Sequence, residues 1–325
     1  MILQSVLIIA LAALAVFVAC KLLAYWWKWF GRRMAEPPPQ PLLEGVEVIR
    51  DIEFTRTPNG PLLLDIYKPA DASPSAPLPV VMFMYGGGWM TGNRHQLKFF
   101  RGQEYVRHGY ALVAIEYRSS EAAIFPAQIH DCKAAVRWIR QNAAEYGLDG
   151  SRIAALGGSA GGHLAALLGT SDAVADMEGD LPPQGDDYAG PIQAVVDMLG
   201  PTDLSRIAEQ SHRFGVRHEK KDSFVSKFLG GQPSLNLEQA KAANPITYIR
   251  PGMPPFLIIH GSADWIVPVQ QSEMLHQALV EQGNESELHV AEGAGHGSLK
   301  SFSSDEMLNK IFGFLDTHLQ SASDT

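Results

Sequence analysis

From residue 46 onward, short runs of β-branched and apolar residues alternate with stretches in which apolar positions recur every three or four residues. The first pattern reads as buried strands and the second as amphipathic helices. Runs at 48–54 and 62–67, separated by Pro58-Asn59-Gly60, predict a hairpin. Further strands are predicted at 80–85, 111–117, 153–156, 192–198, 256–260 and 288–291. Ile129, Cys132, Val136, Ile139 and Ala143 share one helical face and predict a helix over 126–146, and similar spacing predicts helices over 96–108, 269–282 and 305–319. This alternation predicts an α/β fold: a mainly parallel eight-stranded sheet with helices on both faces. Two stretches break the rhythm. One is 171–190, polar and acidic; the other is 201–244, between two strands, where a small cap-like insertion is expected because insertions of that size serve as lids or binding loops.

The first 45 residues follow a different rule. Residues 2–20 are almost unbroken apolar sequence, and about nineteen residues at ~1.5 Å rise nearly span the ~30 Å hydrocarbon core of a bilayer. Tyr25, Trp26, Trp27, Trp29 and Phe30, interleaved with Lys21 and Lys28, have the composition of an interfacial aromatic belt. The expectation is a membrane anchor or signal segment over 1–35 with the lipid bilayer as partner, a stiff Pro-rich linker over 36–45, and a catalytic domain over 46–321. A cleaved or lipidated N-terminus is the alternative, since Phe17-Val18-Ala19-Cys20 distantly resembles a lipoprotein cleavage box. Lys21, Lys28, Arg32 and Arg33 after the span favour a cytoplasmic domain by the positive-inside rule, while short anchors also lead exported enzymes.

Composition narrows the classes. With 46% hydrophobic and 19% charged residues the chain can bury a sizeable core, and a net charge of −9 argues against nucleic acid as a partner. The two cysteines, Cys20 and Cys132, imply no disulfide framework, and the eleven histidines show no metal-ligand spacing, so no metal is expected.

The candidate chemistry lies in three loops that follow predicted strands. Gly157-Gly158-Ser159-Ala160-Gly161 matches G-x-S-x-G between a strand and the helical run 163–168. A sharp strand-to-helix turn needs small neighbours if a serine hydroxyl is to stand clear of the backbone. That hydroxyl needs a base, oriented by a carboxylate. His260-Gly261-Ser262-Ala263-Asp264 and Glu292-Gly293-Ala294-Gly295-His296-Gly297 each follow a strand and supply Asp264 and His296, in the chain order Ser, acid, His. Asp197 and Asp203 are rival acids, Asp203 reading also as a cap residue. Tyr85-Gly86-Gly87-Gly88-Trp89 follows another strand, and the N–H groups of Gly87, Gly88 and Ala160 are the expected oxyanion donors, each worth ~3 kcal/mol.

At these residues the chain resembles the esterase/lipase branch of the α/β-hydrolases, which includes hormone-sensitive-lipase-like and feruloyl-esterase-like carboxylesterases. The resemblance extends to Tyr117-Arg118, Phe125-Pro126-Ala127, Ala134 to Trp138, Asn244-Pro245-Ile246-Thr247-Tyr248 and Pro254-Pro255-Phe256. It implies an α/β-hydrolase fold and hydrolysis of short or medium acyl esters, a small-molecule substrate, through an acyl-serine intermediate without a cofactor. The family usually opens its oxyanion motif with His; here Tyr85 stands there and is expected to hold the loop through its hydroxyl. Arylformamidase or acyl-peptide hydrolase activity with the same triad, and a non-catalytic membrane-tethered binding protein, are the alternatives. His163 is read as a packing residue, Trp89 and Trp265 as pocket wall or core filler, and the cluster Arg213, Arg217, His218, Lys220 and Lys221 as a solvated face, with substrate or membrane contact as the minority reading.

Overall fold

The computed structural model describes Lys21 and residues 38–73, 75–172, 174–179 and 190–319. All eight predicted strands form: β1 (Val46–Thr57), β2 (Gly60–Pro69), β3 (Leu78–Met84), β4 (Ala111–Ile115), β5 (Leu148–Gly158), β6 (Ala194–Met198), β7 (Phe256–Gly261) and β8 (Ser286–Ala291). They make one sheet in the order β1-β2-β4-β3-β5-β6-β7-β8. β2 pairs antiparallel with both β1 and β4, and every other neighbouring pair is parallel. The interior strands are continuous apolar runs because helices cover both faces: Val80 to Met84 and Ala111 to Ile115 are all fully buried. Each buried Val, Leu, Ile or Met side chain contributes roughly 1.5–3 kcal/mol.

Helices α1 (Gly102–Arg107), α2 (Ala127–Tyr146) and α3 (Ala160–Thr170) come from the first two-thirds of the chain. α2 buries Ile129, Cys132, Val136 and Ile139, the face its periodicity predicts, and stops at Gly147 in the left-handed conformation. The single helix predicted over 96–108 is instead a 3-10 turn, Arg94–Phe100, followed by α1. The break is at Arg101, left-handed at φ 50, where Gly102 packs so tightly that a Cβ would lie 2.2 Å from Leu97 Cγ.

Residues 201–244 contain α4 (Ile207–Gln210), α5 (Phe224–Leu229) and α6 (Leu237–Ala242). These helices are too short to stand on propensity and are held by packing: Val225, Phe228 and Leu229 are fully buried, and the Phe125 N–H donates to the Phe228 carbonyl at 2.9 Å. The chain then continues through α7 (Gln270–Glu281), α8 (Leu299–Phe302) and α9 (Asp305–Leu319). No helix among the described residues is long and apolar enough to cross a membrane, and the span expected at 2–20 lies outside them, as does most of the polar stretch after 179.

Candidate active site

β5, in the middle of the sheet, runs directly into Ser159, and α3 begins at the next residue. Ser159 has φ 56 and ψ −120, a conformation costing about 1–3 kcal/mol for a residue with a side chain. Its surroundings hold it there: its N–H donates to the Met198 carbonyl at 2.7 Å, and its carbonyl accepts the His163 N–H at 3.0 Å. The glycines around it are small for steric reasons. A Cβ on Gly157 would lie 2.3 Å from the Gly161 carbonyl, and one on Gly161 would lie 2.1 Å from the Met84 carbonyl oxygen.

His296, in the loop after β8, reaches this turn from the other half of the sheet. Its Nε2 lies 2.9 Å from Ser159 Oγ and its Nδ1 lies 2.6 Å from Asp264 Oδ2. Asp264 sits at the end of the β7 loop with both oxygens engaged: Oδ1 accepts the N–H groups of Ile266 and Val267 at 2.8 and 2.9 Å. Burial alone would raise its pKa, but the His296 charge, together with hydrogen bonds from His260 and His296, outweighs burial and holds the carboxyl well below the usual range. Asp264 therefore favours its ionised form at neutral pH. An ionised Asp264 fixes the imidazole with its proton on Nδ1, leaving Nε2 to accept from the serine hydroxyl.

The loop Tyr85 to Trp89 borders Ser159: a Cβ on Gly86 would come within 3.4 Å of Ser159 Cβ. Gln96 clamps Gly86, with its Oε1 accepting the Gly86 N–H at 3.0 Å and its Nε2 donating to the Gly86 carbonyl at 3.2 Å. Gly87 and Gly88 follow with φ 127 and φ 61, the left-handed region that glycine enters without cost. The Gly87 conformation is also enforced by space, since a Cβ would lie 2.0 Å from the Thr91 carbonyl oxygen. No protein group among the described residues accepts from the N–H of Gly87, Gly88 or Ala160, so these donors are free to meet a developing negative charge. Tyr85 lies on Tyr117, ring centroids 4.2 Å apart, and the two exchange hydrogen bonds: the Tyr85 hydroxyl donates to the Tyr117 carbonyl at 3.1 Å and the Tyr117 hydroxyl to the Tyr85 carbonyl at 2.7 Å.

The other sequence candidates fall away from the centre. Asp203 caps a turn by accepting from Ser205. Asp197 is fully buried beside the elbow; its Oδ1 accepts the Gly200 N–H at 3.0 Å, and its Oδ2 has no partner among the described residues. Burial pushes its pKa up to about 7, against the opposing pull of His260 and the Gly200 N–H. His163 is a packing residue, its ring edge-on to Trp89 and Phe228 and its Nε2 2.7 Å from the Ala243 carbonyl. Trp89 is core, stacked on Phe228 at 4.1 Å, whereas Trp265 is 54% exposed.

Sequence reading missed His260. Its Nε2 lies 3.4 Å from Asp264 Oδ2 and 2.9 Å from the Val267 carbonyl, and its Nδ1 lies 2.7 Å from Ser272 Oγ. The signal was its place at the head of the His-Gly-Ser-Ala-Asp motif. Among the described residues no cluster of three or more His, Cys, Asp or Glu side chains could hold a metal ion.

A mainly parallel sheet carrying a strained serine after a central strand, with acid and histidine on the last two strand ends, defines an α/β-hydrolase. A model of the BD-FAE family matches residues 64–279, more than half of the chain, and the chain belongs to that family of α/β-hydrolase carboxylesterases. It is 34% identical over 221 residues to esterase LipQ of Mycobacterium tuberculosis, covering 68% of this chain and 50% of LipQ. The chain spans about half the length of the curated relatives it matches. A truncated carbohydrate esterase from gut microbiota superposes with a TM-score of 0.77 at 27% identity, covering 86% of this chain and 99% of that one. The thermophilic esterase Est2 of Thermogutta terrifontis gives 0.67 at 31% identity, covering 86% and 94%.

Proposed function

We propose that this chain is a serine carboxylesterase that hydrolyses short or medium acyl esters through an acyl-serine intermediate. The observation that carries this reading is His296 standing between Ser159 Oγ and Asp264 at hydrogen-bonding distance from both. Ser159 Oγ attacks the ester carbonyl as His296 Nε2 takes its proton. The resulting oxyanion is met by the N–H groups of Gly87, Gly88 and Ala160. Collapse expels the alcohol, which takes the proton back from His296. Water, activated by the same His296, then attacks the acyl-serine and releases the carboxylic acid. Asp264 stays ionised throughout and stabilises the imidazolium.

A fluorophosphonate probe and a series of 4-nitrophenyl esters test this. Wild type is expected to label stoichiometrically and to hydrolyse the acetate to octanoate range. Ser159→Ala should neither label nor turn over, with kcat reduced at least about 10⁴-fold. Labelling undiminished in Ser159→Ala would remove the reading. We also read residues 2–20 as a tether to a lipid bilayer, supported by their apolar length and aromatic flank. On alkaline carbonate extraction the full chain should stay with membranes and residues 36–325 should not; release of both would discard the tether.

A further inference from the structure

Residues 211–221 carry Arg213, Arg217, Lys220 and Lys221 against one carboxylate, Glu219, in a chain whose net charge is −9. Such a cluster is ordinarily a solvated face. Here three of the four cations instead line a cavity of about 670 Å³, with His212, Val216 and His218 among its other walls. Of the acidic side chains nearby in sequence, Glu219, itself at the cavity, accepts from Ser234 Oγ at 2.8 Å, Glu209 pairs with Arg206 at 2.9 Å, and Asp222 is not among the residues that line the cavity. Arg213 lies over the Phe214 ring at 4.5 Å, and no carboxylate pairs with Arg213, Arg217 or Lys220 among the described residues. Gathering like charges costs self-repulsion that a bound anion relieves.

The segment that lines the cavity packs against neighbours of the candidate active site on two sides. On one, the Val216 N–H donates to the Trp265 carbonyl at 3.2 Å, His218 Nε2 lies 3.0 Å from the Ile266 carbonyl, and His212 stacks on Trp265 at 4.7 Å. Trp265 directly follows Asp264. On the other, His218 meets Phe224 edge-on at 5.2 Å, and Phe224 packs so close to Gly88 that a Cβ there would lie 2.9 Å from it. The exposed rings of Phe214 and Trp265 offer apolar surface beside the cations.

We propose that this cavity is an anion-binding subsite of the same active site, and that the preferred substrates are esters carrying a carboxylate or phosphate away from the scissile bond. Arginine suits that role because its planar fork pairs with both groups. The inference rests on the esterase reading above.

Matched ester pairs test it. Mono-4-nitrophenyl adipate against 4-nitrophenyl hexanoate places the anion on the acyl side. The acetyl esters of 4-hydroxyphenylacetate and 4-hydroxybenzyl phosphate, each against 4-tolyl acetate, place a carboxylate or phosphate on the alcohol side. In at least one pair, wild type should favour the anionic ester about tenfold in kcat/KM, the scale of one or two partly exposed ion pairs. That ratio should fall about tenfold in Arg213→Gln/Arg217→Gln, return in Arg213→Lys/Arg217→Lys, and decline in wild type as salt is raised. Hydrolysis without anionic preference in any pair would overturn the subsite alone; no hydrolysis of any ester would overturn the esterase reading with it. Absence of preference, combined with binding to phosphatidylglycerol vesicles that Arg213→Gln/Arg217→Gln abolishes, would reassign the cluster to a lipid surface.

Discussion

Asp197 shows how one buried carboxyl couples this fold to pH. Its folded pKa of about 7 lies above the ordinary value near 4. Between those values the unfolded chain has lost the proton that the folded chain still holds. The stability this group contributes is complete below pH 4 and is lost as pH rises through 7. Asp197→Asn keeps an oxygen for the Gly200 N–H and cannot ionise. The variant should therefore gain on wild type, by up to about 4 kcal/mol, between urea titrations at pH 4 and pH 8. A gap that does not widen with pH would mean Asp197 is ionised in the fold. The Tyr85 hydroxyl donates to the Tyr117 carbonyl, as the substitution for His suggested. Tyr85→Phe should cost about 1 kcal/mol in a denaturant titration and lower kcat several-fold by loosening the glycine loop. Tyr85→Phe/Tyr117→Phe should cost less than the sum of the two single changes, because each hydroxyl holds the same pair of strand ends. Ser159, Asp264 and His296 were legible because motif, preceding strand and chain order agree for each. The contacts of Gln96, Tyr117 and His260 were not, because a motif marks a position in the chain while the partners of a polar side chain appear only when the sheet brings distant segments together.

Elements were legible where burial imposes a period. α2 repeats apolar residues on one face and stops at Gly147, and interior strands are apolar on both faces, so each announces itself. The segment 94–107 did not, because its apolar spacing continues across Arg101 while the backbone reverses hand there. Nor did α4, α5 and α6, each of six residues or fewer, whose stability comes from partners distant in sequence. α5 is the clearest case, with Phe228 stacked on Trp89 and wedged against Phe125. Phe228→Ala should destabilise by about 3–5 kcal/mol and raise KM more than it lowers fluorophosphonate labelling, since Trp89 belongs to the glycine loop. α3 makes the opposite demand at its start. Gly161→Ala would set a methyl 2.1 Å from the Met84 carbonyl, where backbone cannot yield. Overpacking of this kind costs about 1–3 kcal/mol, and the displaced elbow should abolish labelling in protein that still gives a folded circular-dichroism spectrum at low temperature.

For the molecule as a whole, strand order decides where chemistry can occur. β3, β5, β7 and β8 all end on one side of the sheet, and the residues that follow them meet in one crevice, as open parallel sheets require. That outcome could be read from alternation alone, whereas the cavity beside Trp265 could not, because it is built by an insertion without a period. His296 and Ser159 stand 137 positions apart in the chain, with β6, β7 and β8 laid down between them. A polypeptide emerging from the ribosome therefore carries its serine long before it carries the base that would awaken it. On the proposed triad, any transcript cut short before codon 296 would yield a product without its general base, however well the remaining strands hold together. On the same proposed triad, reactivity toward a fluorophosphonate would report that synthesis has passed His296, and it could be used to count the chains in a nascent mixture that have done so.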